Sequence, residues 1–202
     1  MDIKAIIWDM EGVLLLSRGG EMPAVIAEKL GTPYQETRDI FYGEFNDIVD
    51  LGHYTQDDFW NHVLDTLGKQ RSMKKILLDF FYEDQFVDEV LAVAIREYKK
   101  HYKTGLITNY SKIMREMIET EWQVKDLFDE IIISSEVGLV KPDPRIYQLM
   151  LERLGCQPGE AVFIDDRIRN IVGARNAGLK AVLFENRVQA LKELDEILEG
   201  NV

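Results

Sequence analysis

Hydrophobic positions change their spacing along the chain, and the changes mark out its elements. The chain opens on a short apolar run, Ile3-Lys4-Ala5-Ile6-Ile7-Trp8, that stops at Asp9. Such a run predicts a strand buried on both faces, and Glu11-Gly12-Val13 then turns the chain. From about Glu21 to Glu83 helical spacing takes over. Pro23 suits a first helical turn, and Val25, Ile26 and Leu30 follow before Gly31 ends the pattern. Pro33 opens one further segment through Ile40, Phe41 and Phe45. Thr55-Gln56-Asp57-Asp58 reads as an N-cap with acids in the first turn of a helix through Phe59, Trp60, Val63, Leu64 and Leu67. This middle stretch carries no strand pattern.

After about Val87 the two spacings alternate. Strands are expected at 104–108, 131–134, 161–165 and 180–184, and helices at 90–100, 113–120, 144–154, 170–177 and 188–198. Strands alternating with helices predict an α/β protein, a parallel sheet wrapped by helices. In such sheets ligands bind at the carboxyl ends of the strands. The residues there are Asp9, Thr108, Ser134-Ser135 and Asp165-Asp166.

A length of 202 residues fits one domain, or one carrying an insertion, with a full core and no disulfide or zinc staples. The balance of 24 Lys+Arg against 36 Asp+Glu gives a net charge of −12. That argues against nucleic acid and anionic membranes as partners. A small anionic substrate then needs a local cation or metal to overcome the field. The single cysteine, Cys156, excludes an internal disulfide and reads as a structural thiol. His53, His62 and His101 are scattered, with no Ser or Cys placed for a triad. With no bilayer-length apolar run and no signal-peptide pattern at the N-terminus, a cytoplasmic protein is expected.

Acids at two neighbouring strand ends repel one another unless a cation joins them. A hard divalent ion with oxygen ligands resolves this, and Mg²⁺ is the usual choice beside a phosphate. Either acidic site alone is most simply a turn or helix cap; both on one sheet edge favour a metal site.

Four segments together resemble the ordered motifs of the haloacid dehalogenase-like superfamily. They are Asp9-Met10-Glu11-Gly12-Val13, Leu106-Ile107-Thr108-Asn109, Gly138-Leu139-Val140-Lys141-Pro142-Asp143-Pro144 and Phe163-Ile164-Asp165-Asp166. The resemblance implies a Rossmann-like parallel sheet core, residues 1–16 and 84–202, with a small α-helical cap, residues 17–83, inserted after the first strand. The forms of the motifs are similar to those of small sugar-phosphate phosphatases and of the N-terminal phosphatase domains of soluble epoxide hydrolases. Asp9 is then the nucleophile, forming an aspartyl-phosphate. Thr108 and Asn109 bind the phosphoryl group or orient the substrate, and Lys141 supplies positive charge. Asp9, Asp165, Asp166 and the main-chain carbonyl of Glu11 hold Mg²⁺, with Asp166 the more direct of the two paired acids. Asp143 before Pro144 reads as an N-cap, Asn170 as a buttress of the acids, and Arg167 and Arg169 as solvated or paired.

Glu11 departs from the family pattern, which carries Asp two residues after the nucleophile as general acid and base. The extra methylene moves the carboxyl, and proton transfer depends on reach. The favoured reading is a phosphatase acting on a small phosphorylated metabolite with Glu11 as a repositioned acid/base. A phosphomutase and a catalytically impaired phosphate or protein binder are the alternatives. Tyr42, Phe45 and His53 are candidates to face the substrate from the cap, while Phe59 and Trp60 are read as its core. Monomer and homodimer both stay open.

Overall fold

The computed structural model describes residues 2–200. In chain order these form β1 (Ala5–Trp8), β2 (Leu15–Ser17), α1 (Met22–Leu30), α2 (Tyr34–Phe41), α3 (Glu44–Asp50), α4 (Gln56–Thr66), α5 (Lys74–Asp84) and β3 (Gln85–Val87). There follow α6 (Glu89–Tyr98), β4 (Lys103–Thr108), α7 (Ile113–Glu119), β5 (Glu130–Ile133) and α8 (Ser134–Val137). The chain ends with α9 (Pro144–Leu154), β6 (Ala161–Asp165), α10 (Ile168–Asn176), β7 (Lys180–Leu183) and α11 (Arg187–Leu198).

Five strands make a parallel sheet in the order β5-β4-β1-β6-β7. The chain builds outward from β1 to β4 and β5, then returns to the other side of β1 for β6 and β7. That reversal is the switch point where a parallel sheet opens a crevice. β1 is central, and all four of its residues are buried. Alternation decides which core each side chain joins. Ile6, Trp8, Leu106, Ile133, Val162 and Ile164 face one side, and Ala5, Ile7, Ile107, Ile132 and Phe163 the other. Each such burial of a large apolar side chain contributes about 1.5–3 kcal/mol.

The first face continues into the helices between β2 and β3, whose Ile26, Val49, Phe59, Trp60, Val63, Leu64 and Phe81 belong to the same apolar cluster. Their aromatic rings meet edge to face, with Phe41, Phe59 and Phe81 around Trp60 at centroid distances of 5.4–5.9 Å. His62 stacks on Phe45, with ring centroids 4.2 Å apart. α4 begins on a reciprocal capping box between Thr55 and Asp58.

The segment after Pro33 is two helices rather than one. The chain breaks at Tyr42-Gly43, where a Cβ on Gly43 would lie 2.4 Å from the Asp39 carbonyl oxygen. An antiparallel ribbon, β2 with β3, joins the two ends of the helical stretch. Its strands have three residues each, too short to register as alternation. The expected strand through Ser134 ends at Ile133, where α8 begins. Among the described residues no helix is long and apolar enough to cross a membrane.

Candidate active site

The main-chain pairing of β1 with β6 sets Asp9 and Asp165 side by side. Asp9 lies one residue beyond β1 and donates its N–H to the Ile164 carbonyl at 2.9 Å. Asp165 is the last residue of β6, with no exposed surface. One carboxylate oxygen each of Asp9, Asp165 and Asp166 lies within 4.8 Å of the others.

Lys141 reaches this cluster from the loop before α9. Its Nζ sits 2.6 Å from Asp9 Oδ1 and 2.7 Å from Asp165 Oδ2, with the side chain 1% exposed. By itself this lysine reads as a solvated surface residue; the fold buries it. Asn109 holds its loop. The Asn109 Nδ2 donates to the Lys141 carbonyl at 3.0 Å, and the Lys141 N–H donates to Asn109 Oδ1 at 2.8 Å. Asn109 lines the cavity, yet both ends of its amide are engaged with the lysine main chain, a contact that motif reading did not foresee.

Asn170 is a buttress, as expected: its Nδ2 donates to both oxygens of Asp165 at 2.9 Å. The Arg167 N–H donates to Asp165 Oδ1 at 2.8 Å. Gly12, at φ +80°, lets the turn after β1 approach Asp166, since a Cβ there would lie 2.5 Å from Asp166 Oδ2. Asp143 caps α9 by accepting from the Arg145 N–H, and Pro144 opens that helix. Ser134 is spent on structure. Its Oγ donates to the Asp50 carbonyl at 2.6 Å and accepts the Tyr110 N–H at 2.9 Å.

Burial, and then the charge of Asp165, push the Asp9 carboxyl well above its usual range against the pull of Lys141. Burial also works to raise Asp165, but Lys141 and bonds from Asp9, Lys141 and the Arg167 main chain outweigh it and hold the group low. Asp166 is raised by burial and by Asp165. Glu11 is pushed up to about 7, chiefly by burial. Burial opposes the charge on Lys141, but Asp165 and Asp9 keep it firmly protonated. Asp9, Asp165 and Asp166 thus cluster around one lysine, with Glu11 as a fourth acid of the same cavity.

The donors suit a hard divalent ion. They are all oxygens, they carry more negative charge than Lys141 balances, and the Oδ1 of buried Asn170 beside them has no hydrogen-bond partner. An acceptor stranded in that position fits a water held by an ion.

A cavity of about 450 Å³ opens over the cluster. Asp9, Glu11, Thr108, Asn109, Lys141 and Asp166 line its floor. Tyr42, Asn46, Asp50, Gln56 and Phe59, from the helices between β2 and β3, also line it. Of the three cap residues expected to face a substrate, Tyr42 lines the cavity; Phe45 packs between Tyr54 and His62, and His53 is not on the wall. Asp50 had no motif to announce it; burial, with Glu11 and Asp47 nearby, pushes it up to about 7. Arg167 departs from its expected solvated or paired state. It lines the cavity with its guanidinium over the Tyr42 ring, 5.2 Å from the centroid.

The acids thus gather at the switch point of a Rossmann-like parallel sheet, the place where such folds bind ligands. Residues 3–178 match the model of the haloacid dehalogenase-like hydrolases, and the chain belongs to that family. It is 34% identical to the glyceraldehyde 3-phosphate phosphatase of Methanothermobacter thermautotrophicus over 93% of this chain and 84% of that protein. It is 28% identical to the bifunctional epoxide hydrolase 2 of Sus scrofa over 98% of this chain, which spans 39% of that longer protein. Among solved structures, a HAD family enzyme of Bacteroides thetaiotaomicron in complex with magnesium is similar in fold, with a TM-score of 0.74 at 23% identity, covering 91% of this chain and 93% of that one.

Proposed function

We propose that the protein is a Mg²⁺-dependent phosphatase that hydrolyses a small phosphomonoester through an aspartyl-phosphate on Asp9. The observation that carries this reading is Asp9 at the end of β1, held by Lys141 at 2.6 Å beside two further acids and open to the cavity. The similarity to a glyceraldehyde 3-phosphate phosphatase supports a small phosphorylated metabolite as substrate.

Both the Met10 N–H and Lys141 Nζ fall on Asp9 Oδ1, at 2.7 and 2.6 Å, which leaves Oδ2 to attack. The Oδ2–phosphorus bond forms as the phosphorus–oxygen bond to the alcohol breaks. Glu11, on the cavity wall, gives its proton to the leaving oxygen. Water then attacks phosphorus, Glu11 takes back a proton, and Asp9 is released with inorganic phosphate. Thr108 and Lys141 hold the transferring phosphoryl oxygens, and Asn109 keeps Lys141 in place. Asp9, Asp165, Asp166 and the Glu11 carbonyl would hold Mg²⁺, which would supply positive charge to the transferring phosphoryl group. Residues 17–83 act as a cap that shapes the space for the alcohol half.

The test is release of phosphate from a panel of sugar and triose phosphates by wild type and Asp9→Asn, with and without Mg²⁺. The expected result is turnover that needs both Asp9 and the ion. Wild-type release no higher than that of Asp9→Asn on every substrate overturns the reading.

A further inference from the structure

Two cations line the cavity, and they are used differently. Lys141 is ion-paired with Asp9 and Asp165 and faces the transferring phosphoryl group. Arg167 is not. Its guanidinium lies over the Tyr42 ring, and among the described residues it makes no ion pair and donates no side-chain hydrogen bond. It is only partly exposed, yet its side-chain N–H donors have no acceptor among the described residues. The other arginines packed against the fold are engaged: Arg115 with Glu136, Arg187 with Asp88, and Arg175 with the Ala181 carbonyl.

The position of Arg167 is set from both sides. Its main chain is tied to Asp165, and its stacking partner is itself fixed, because the Tyr42 hydroxyl donates to Glu21 Oε1 at 3.1 Å. A guanidinium placed over an aromatic ring can keep its N–H donors free for a bidentate anion. Of the acids at the site, Glu11 attracts the Arg167 guanidinium most, then Asp9 and Asp166, and among the described residues none of them is in ion-pair contact with it. Two other acids of the cavity are already engaged. Glu21 accepts the hydroxyls of both Tyr34 and Tyr42, and Asp50 accepts from Asn46 Nδ2.

Resting on the phosphatase reading, we propose that Arg167 is a specificity residue, which binds a second anionic group on the alcohol half of the substrate. The preferred phosphomonoester then carries a carboxylate or a second phosphoryl group beyond the one transferred at Asp9.

The test uses matched ligands that differ at that group. 3-Phosphoglycerate and glycerol 3-phosphate differ by a carboxylate, and fructose 1,6-bisphosphate and fructose 6-phosphate by a phosphoryl group. Binding is measured by calorimetry with Mg²⁺ on the Asp9→Asn protein, which holds ligand without turnover. The anionic member of at least one pair is expected to bind about tenfold tighter or more. Which pair shows it tells carboxylate from phosphoryl. Adding Arg167→Gln should collapse that ratio toward one, and Arg167→Lys should restore part of it, charge without fork. In the Asp9 enzyme the same preference should lie in KM rather than kcat. Equal binding within both pairs, or a preference that survives Arg167→Gln, overturns the proposal. An unchanged thermal midpoint for Arg167→Gln shows that the fold is intact. Should no substrate release phosphate, the hydrolytic reading fails alone, because the binding ratios still decide the role of Arg167.

Discussion

Asp88 and Asp9 are both buried aspartates beside a long cation, and each follows a strand. Around Asp88 everything balances. It caps α6 by accepting the Val90 and Leu91 N–H groups at 3.1 Å, and Arg187 Nη1 meets both its oxygens at 2.5 Å. One acid meets one cation, and two backbone donors add to the arginine on its Oδ1. Around Asp9 the count is unequal, with three acids to one lysine and an Asn170 oxygen left over. The first arrangement stabilises the junction of α6 with α11. The second is destabilising in isolation, since each buried like charge raises the cost of the next. Such an excess is resolved by a bound cation, and that separates a site from a staple.

Removing the cation from each cluster tests this contrast most strongly. Lys141→Ala leaves Asp9 and Asp165 facing each other in the interior, with an expected loss of about 3–5 kcal/mol in magnesium-free protein. Arg187→Ala leaves Asp88 its two backbone donors, and the arginine is a third exposed, so about 1 kcal/mol is expected. Urea unfolding of both variants measures the gap; equal losses would break the comparison.

Asp50 extends the contrast into pH. Its pKa rises from 3.8 to about 7 through burial, with Glu11 and Asp47 adding to the shift and Arg167 and Lys141 opposing it. The folded state therefore holds this proton more tightly than the unfolded chain. Stability from this group is fully present near pH 4 and is lost as pH rises to about 7. The loss is on the order of 3 kcal/mol across that window. Asp50→Asn should flatten this part of a stability–pH profile; an unchanged slope would remove Asp50 from the account.

The lysine loop has its own support. A Cβ on Gly173 would lie 2.6 Å from Pro142 Cβ and 2.7 Å from the Pro142 carbonyl oxygen. Gly173→Ala should cost about 2 kcal/mol and shift Lys141, reducing phosphate release more than a purely structural change would. Thermal unfolding alongside kcat at saturating substrate distinguishes the two effects.

The smallest expected effect has the most telling sign. Asp166→Asn removes one like charge from the site, so magnesium-free protein should gain about 1 kcal/mol while stabilisation by added Mg²⁺ shrinks. Asp88→Asn, which weakens a balanced pair, should lose stability with or without Mg²⁺. A thermal shift series over Mg²⁺ concentration reads both signs at once, and a loss for both variants would merge the two regions into one kind.

Sequence reading worked where periodicity or motif order carried the information. The alternation after Val87 placed β4 to β7 and α6, α7, α9, α10 and α11 to within two residues. The Thr55 N-cap and the Asp143-Pro144 start are local chemistry, and the structure shows both. The ribbon of β2 and β3 was missed because pairing between residues about seventy apart leaves no local trace in strands so short. The break at Tyr42-Gly43 was missed because apolar spacing runs on across it.

By itself, the sequence determined the α/β class, the strands that end in acids, and the four motif segments whose side chains meet in one place. Those features rest on spacing along the chain, which folding preserves. Only the tertiary structure decided the rest: that Lys141 is buried against Asp9 and Asp165, that Asn109 holds the lysine loop, and that Asp50, Tyr42 and Arg167 line the same cavity. Each of these depends on elements distant in sequence packing together, and on burial, which turns an ordinary surface lysine or arginine into a charge with a direction.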